Sequence, residues 1–484
     1  MSDAVPTPAS PLGLAAPSGS APAAGTRGVL HVIHGHGGGT EHHARALIGA
    51  SGTRFRHYLA IAIGDHWQVE AYRAGGAPDT IEFHRGGDEG WPGFIGGICA
   101  RLEVDLVHLH NISGCRDGII AALAVLRVPY GYTVHDLNFA CPTILFLAAD
   151  GNYCYEETAP DVCGACLAAQ PAFAQIDIVD WRLRHRALLA RAAFLIAPSR
   201  WAATALERYF PEHAVTVIPH AAPGVWALQS GGDPGPREPR AAPRVLALPD
   251  DGAPTVAVLG AVGPDKGARR LERFADLVRA TGASLRFVLI GYMDVEHGPW
   301  QSDDRVLTIH GRYEPRELPD LLARYRARLV AFPSAGPETF SFTLSETWAA
   351  GLPVVVPPFG ALAERVAGTG AGWLWTDAEW RDDAKMLARI VELVAPANAI
   401  ALGAAAERGR TVPQTAPATM AARTLDLYDA AARASVVDAP PSEPARGVGP
   451  GPMLAPGPRR TLLRRVLDRL TLARPRAPLD ERKR

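Results

Sequence analysis

Arg328 to Val356 reads RLVAFPSAGPETFSFTLSETWAAGLPVVV. An apolar run, Arg328–Pro333, is short enough for a buried strand, and Ser334 to Glu338 carries the small and proline residues of a loop. Helical spacing follows, closed by Gly351, and a second apolar run begins at Pro353. Strand, loop, helix and strand in this order form a βαβ unit, which demands a parallel sheet. Glu338 then falls on the strand-to-helix loop and Glu346 about two turns into the helix. The loop carboxylate and the helix N-terminus are expected to face the space beyond the strand's carboxyl end, and carboxylates suit a hydroxyl-rich ligand. The plainer alternative is a pair of acids complementing a helix dipole.

The same pattern extends in both directions. Upstream runs are Gly28–Gly35, Tyr58–Gly64, Asp105–His110, Tyr130–His135, Phe194–Pro198 and Val215–Pro219. After Gln229–Pro254, a linker rich in Gly and Pro, come Thr255–Val262, Leu285–Gly291, Val306–Gly311 and Pro353–Pro357. The expectation is an α/β protein of two Rossmann-like, doubly wound parallel-sheet domains facing a cleft, spanning 27–228 and 255–415. A helical pattern at 416–436 follows the second sheet and is expected to pack back across the hinge. There is no sequence repeat, only one architecture used twice.

Two glycine turns lie where strands feed helices. The first, His34 to His43, contains Gly37, Gly38 and Gly39, with Thr40 as a candidate cap. Such a turn lets backbone N–H groups approach an anion, although its spacing is not that of a dinucleotide fingerprint. The second is Gly263-Pro264-Asp265-Lys266-Gly267. Only Lys266, Lys385 and Lys483 are lysines among 49 basic residues, so a lysine between glycines calls for its own explanation. It can present a point charge to a phosphate, and the P-loop arrangement is absent.

Together these segments resemble the retaining glycosyltransferases of the GT-B fold, family four, whose mark is Glu, seven residues, Glu. Glu338 and Glu346 have that spacing, and the Gly37–Gly39 loop with Glu41, Thr133-Val134-His135-Asp136, Ala197-Pro198-Ser199 and Lys266-Gly267 occur in the expected order from about Arg27 to Ala434. The resemblance implies a nucleotide-sugar donor, UDP- or GDP-linked, and a glycan or lipid-linked acceptor. Gly38 and Gly39 would approach its diphosphate and Lys266 would hold that group as it leaves. Glu338 would contact the donor sugar, Glu346 the ribose, and Gly311, Arg312 and Tyr313 the base. Phe342 and Thr343 would complete the donor site, and His135 would lie near donor sugar and acceptor as a catalytic residue. One departure stands out: where such enzymes often have Gly-Arg, this chain has Gly260-Ala261. Arg269 and Arg270 are the candidates for the second phosphate cation. No acidic metal motif is evident, so a catalytic metal is not required.

Cys141, Cys154, Cys163 and Cys166 lie in an insertion, Leu137–Gln170, and are candidate ligands of a structural zinc. Reduced buried thiols and a redox pair are the other readings. His108 and His110, alternating on a strand, are expected to be satisfied core histidines, while His42 and His43 are expected on a helix surface. The 484 residues carry a net charge of −1, against a protein held to nucleic acid by general basicity. That sum divides into −8 for the body and +7 for Arg459–Arg484, a basic segment suited to a solvated helix or to peripheral contact with anionic membrane. The lead-in at 1–26 has no basic start for a signal peptide, and the expected location is cytoplasmic. Alternatives to a transferase are a GT-B-type epimerase or phosphorylase, or a non-catalytic sugar-nucleotide-binding scaffold.

Overall fold

The structure, a computed structural model, describes residues 26–434 apart from 36, 74–75, 87–89, 113–118, 223–244 and 294–297. The expectations for the lead-in before 26, for residues 229–244 of the linker and for the tail from 437 lie outside the described residues.

The first sheet has eight strands: β1 (Gly28–His34), β2 (Arg56–Ile63), β3 (His66–Tyr72), β4 (Asp79–His84), β5 (Val104–Leu109), β6 (Tyr130–Thr133), β7 (Phe194–Ala197) and β8 (Thr216–Val217). Their order is β4-β3-β2-β1-β5-β6-β7-β8. The central strands are parallel, and Val29, Leu30, Val32 and Ile33 of β1 are buried, as helices on both faces require. One difference from the sequence reading is at the edge, where β2, β3 and β4 form an antiparallel meander. The cause is local: the two-residue turn at Gly64-Asp65 closes a hairpin, and β4 shows its outer side to solvent.

The second sheet runs β11-β12-β10-β9-β13-β14-β15, built from β9 (Thr255–Val262), β10 (Arg286–Met293), β11 (Trp300–Gln301), β12 (Leu307–Ile309), β13 (Ala327–Ala331), β14 (Val354–Val356) and β15 (Gly372–Leu374). All its pairings are parallel except that of β11 with β12.

The helices are α1 (Gly39–Ala50), α2 (Trp91–Arg101), α3 (Ile119–Val125), α4 (Pro160–Ala168), α5 (Ile178–Ala190), α6 (Arg200–Tyr209), α7 (Ala268–Thr281), α8 (Leu318–Arg324), α9 (Phe342–Ala349), α10 (Gly360–Val366), α11 (Asp377–Trp380), α12 (Asp383–Val394), α13 (Ala399–Thr411) and α14 (Pro417–Ala434). Helix α14 comes after the second sheet but packs on the first. Its Met420, Ala421, Leu425 and Tyr428 share a buried cluster with Val29, Leu47, Phe55, Leu106 and Phe194. No single described helix is long and apolar enough to cross a membrane.

In each sheet the strand order reverses beside the first strand: β1 has β2 on one side and β5 on the other, and β9 has β10 and β13. The loops leaving such a pair of strands diverge and open a crevice at their carboxyl ends. The Gly37–Gly39 turn and the turn containing Lys266 each stand at one of these two crevices.

Candidate functional site

At the second crevice, the Lys266 turn is clamped against the end of β13. Gly267 has φ +90°, and a Cβ there would meet the Pro333 carbonyl oxygen at 2.1 Å, so only glycine fits. The Ala335 amide donates to the Asp265 carbonyl at 2.8 Å, tying this turn to the loop that carries Glu338. Lys266 keeps its surface open to solvent while lying deep among protein atoms, the situation of a side chain in a cleft. The Glu338 carboxylate, with a smaller push from Asp265, holds the Lys266 ammonium above its ordinary pKa against the opposing effect of burial.

Glu338 is half-buried, and its carbonyl accepts from the Ala361 amide at 2.9 Å, where α10 begins. Helix α9 starts only at Phe342, so Glu346 stands one turn into it rather than two, closer to the crevice than the sequence suggested. Burial pushes the Glu346 carboxyl up to about 7, and the Tyr313 hydroxyl, which donates to it, opposes that rise. Thr343 packs beside Gly260, whose added Cβ would lie 3.5 Å from the threonine methyl. Arg312 is exposed and lies over the Tyr292 ring at 4.4 Å, while the Gly311 amide donates to the Gly291 carbonyl. The residues from β12, β13 and α9 therefore meet at one place.

Between Glu338 and Glu346 the backbone is strained: Ser341 has φ +74°. Arg365 on α10 over-determines that conformation. Its Nη1 donates to the carbonyls of Phe340 at 3.0 Å and Ser341 at 2.7 Å, and its Nη2 donates to Ser345 Oγ at 2.7 Å. Its guanidinium also lies 4.1 Å from the Phe340 ring centre. Burial lowers its pKa to about 10, with Glu338 and Glu364 pulling the other way. Sequence reasoning missed Arg365, which no motif marks among so many arginines. The two candidates for a second phosphate cation differ in their surroundings. Arg270 is buried, pairs with Asp383 at 3.3 Å and donates to the Trp380 carbonyl, so it is a structural cation. Arg269 is exposed.

At the first crevice, Gly37 and Gly38 take φ +69° and +80°, and Gly38 is the N-cap of α1. Thr40 is therefore inside the helix and buried, not the cap. The Gly38 and Gly39 backbone is exposed at the helix N-terminus, which favours anions. His42 is exposed, but His43 is 3% exposed and points inward, contrary to the expected surface position. Thr40, His43, Ala44 and Leu47 form one face of α1, a periodicity that could have placed it. His108 is satisfied as expected, by Tyr428 Oη at 2.6 Å and Thr133 Oγ1 at 2.7 Å. His135 follows β6, and its Nε2 is 3.2 Å from Nδ1 of the buried His110.

The two crevices face each other and touch. Thr339 Oγ1 donates to the His135 carbonyl at 2.8 Å. Phe342 meets His42 edge-on at 5.0 Å, and an added Cβ at Gly39 would lie 3.4 Å from the Phe342 ring. Glu364 accepts the Arg200 and Trp201 amides at the start of α6, a carboxylate on a helix N-terminus. By contrast, a cavity of about 730 Å³ lined by Arg27, Arg56, Glu103 and Asp105 opens at the amino end of the first sheet, away from every residue above.

The cysteine insertion lies across the two units. The Tyr153 and Phe359 rings pack at a tilt, 4.4 Å between centres, and an added Cβ at Gly336 would meet the Leu145 carbonyl at 2.7 Å. Cys141, Cys154, Cys163 and Cys166 are close enough to influence one another electrostatically, but none belongs to the three-ligand groups within 4.8 Å among the described residues. Three of them have other side-chain contacts: Cys141 with Thr143 Oγ1, Cys163 with Arg182 and Cys166 with Gln170.

This two-sheet architecture is the GT-B fold. Residues 253–395 match the family model described as Glycosyl transferases group 1. Among solved structures, a sucrose-phosphate synthase from Thermosynechococcus elongatus is similar with a TM-score of 0.55 at 16% identity, over 83% of this chain and 98% of the other. The catalytic domain of starch synthase IV from Arabidopsis thaliana, bound to ADP and acarbose, is similar at 0.51 and 13% identity, over 84% and 100%. No curated protein sequence matches this chain significantly.

Proposed function

We propose that the protein is a nucleotide-sugar-dependent, retaining hexosyltransferase acting on a glycan or lipid-linked acceptor in surface polysaccharide assembly. The observation that carries this reading is the meeting of Lys266, Glu338 and Glu346 at one crevice, opposite the Gly38–Gly39 amides at the other. The match of residues 253–395 to a glycosyl transferase family supports it.

Breaking the bond between sugar and diphosphate leaves negative charge on the phosphate. Lys266 and the amides at the start of α1 are fixed before the reaction, so they stabilise that charge without reorganising, usually a large contribution. Glu338 accepts from sugar hydroxyls, and Glu346 with Tyr313 holds the ribose, beside Gly311 and Arg312. Phe342 and Thr343 line the path between them, and His135 borders the acceptor side. Front-face retention, with the leaving phosphate taking the acceptor proton, needs no carboxylate nucleophile. Arg365 holds the loop that carries Glu338.

The four-thiol insertion is read as a structural zinc site, and the basic tail as a peripheral contact with anionic lipid at the inner face of the membrane. The test of the activity is incubation with UDP-, GDP-, dTDP- and ADP-sugars and a panel of glycan and lipid-linked acceptors. NMR of the product should show transfer with retained anomeric configuration. Inversion would remove the retention claim. Nucleotide release unchanged by any acceptor would favour an epimerase, and no turnover with any donor would leave a binding scaffold.

A further inference from the structure

A second cluster lies beneath the glycine turn, and the transferase reading uses only its His135. His43 on α1, His110 after β5 and His135 after β6 each offer a ring nitrogen, and these atoms all lie within 4.8 Å of one another. Their rings are 5.0 to 5.4 Å apart, centre to centre. His43 and His110 are 3% and 0% exposed. His43 Nδ1 is buried with no hydrogen-bond partner, although an orphaned buried nitrogen is costly. His220, after β8, lies against His43 at 3.9 Å between ring centres and against His135 at 4.9 Å. Both His220 nitrogens are buried without partners as well.

We infer that His43, His110 and His135 form a binding site for a zinc-class divalent metal ion, with the His220 ring packed beside it. Nitrogens bound to one zinc at 2.0–2.1 Å in tetrahedral geometry lie roughly 3.3 Å apart, and His110 Nδ1 is 3.2 Å from His135 Nε2. The second layer of contacts has the form metal-bound histidines need. His110 Nε2 is 3.0 Å from His31 Nδ1, and His31 Nε2 is 3.0 Å from His57 Nδ1. With Nδ1 on the metal, His110 carries its proton on Nε2 and donates to His31, which donates to His57. One tautomer is thereby fixed along the row.

The alternative cluster, His31, His108 and His110, is weaker, because both nitrogens of His108 are already engaged by Tyr428 and Thr133. Burial keeps His43, His110, His135 and His220 neutral, the state in which imidazole binds borderline ions. The ion would tie α1, β5 and β6 together below the Gly37–Gly39 turn and fix the His135 ring at the edge of the cleft.

The full chain, expressed without a histidine tag, is stripped with a chelator, reloaded with Zn²⁺ or Co²⁺ and assayed for bound metal. At least about 0.7 equivalents should bind beyond any metal on the cysteines. Visible Co²⁺ bands should persist without thiolate charge-transfer absorption when Cys141, Cys154, Cys163 and Cys166 are all replaced by Ser. Those bands should vanish in His135→Ala, a half-buried position. His43→Ala and His220→Ala extend the test, with far-UV circular dichroism confirming the fold. Metal that leaves with the cysteines, stays in His135→Ala, or never binds would overturn the inference. The readout is metal content, so it stands or fails separately from the transferase activity.

Discussion

Lys266 and Glu346 show how one side chain's surroundings set its use. Lys266 is exposed, so Lys266→Ala removes little packing, and its melting temperature should stay within about 2 °C of wild type. Turnover, measured as release of nucleoside diphosphate, should fall by about 10²–10³-fold, as when a preorganised charge is removed from a transition state. Equal turnover would end the diphosphate assignment. Glu346 differs because burial raises its carboxyl to about 7. Only the carboxylate can accept from both ribose hydroxyls, so nucleotide affinity should weaken as pH falls through 7, approaching about tenfold per unit. The nucleotide's own phosphate titrates equally with wild type and Glu346→Gln. The ratio of their dissociation constants from calorimetry therefore isolates this residue, and a pH-independent ratio would contradict the assignment.

Elements carry those residues, and their legibility varied with burial. The central strands were readable because helices cover both faces, which leaves uninterrupted apolar runs such as Thr255–Val262 and Pro353–Pro357. β3 and β4 were missed because HWQVEAY and DTIEFH mix polar and apolar residues at a solvated sheet edge. β15 was missed because its three residues are only partly buried. Glu338 and Lys266 were legible through local spacing, whereas Arg365 is part of the site only because α10 folds back over the Ser341 loop. Arg365→Gln should release that loop, lowering turnover at least about tenfold. Arg365→Lys should rescue little, since one ammonium cannot span two carbonyls and Ser345 in a fixed fork. Full rescue by lysine would show that charge alone matters there. Gly267→Ala drives a methyl into the Pro333 carbonyl, and chemical denaturation should show a loss of about 2–3 kcal/mol.

At the scale of the whole molecule, the two crevices are joined by contacts that are distant in sequence. Tyr428 on α14 reaches 320 positions back to His108, with both groups fully buried. Tyr428→Phe should cost about 1–3 kcal/mol on denaturant unfolding, because it leaves His108 Nδ1 without a partner. Thr339 on His135 and Glu364 on α6 hold the facing units together around the space where a donor would sit. Whether this space takes a nucleotide sugar can be read from a thermal-shift screen across UDP-, GDP-, dTDP- and ADP-sugars. At one hundred times its dissociation constant a ligand adds about 2.7 kcal/mol of stability. The melting temperature should rise with at least one donor in wild type and rise less in Lys266→Ala. No shift with any of the four classes would contradict binding of a nucleotide sugar there.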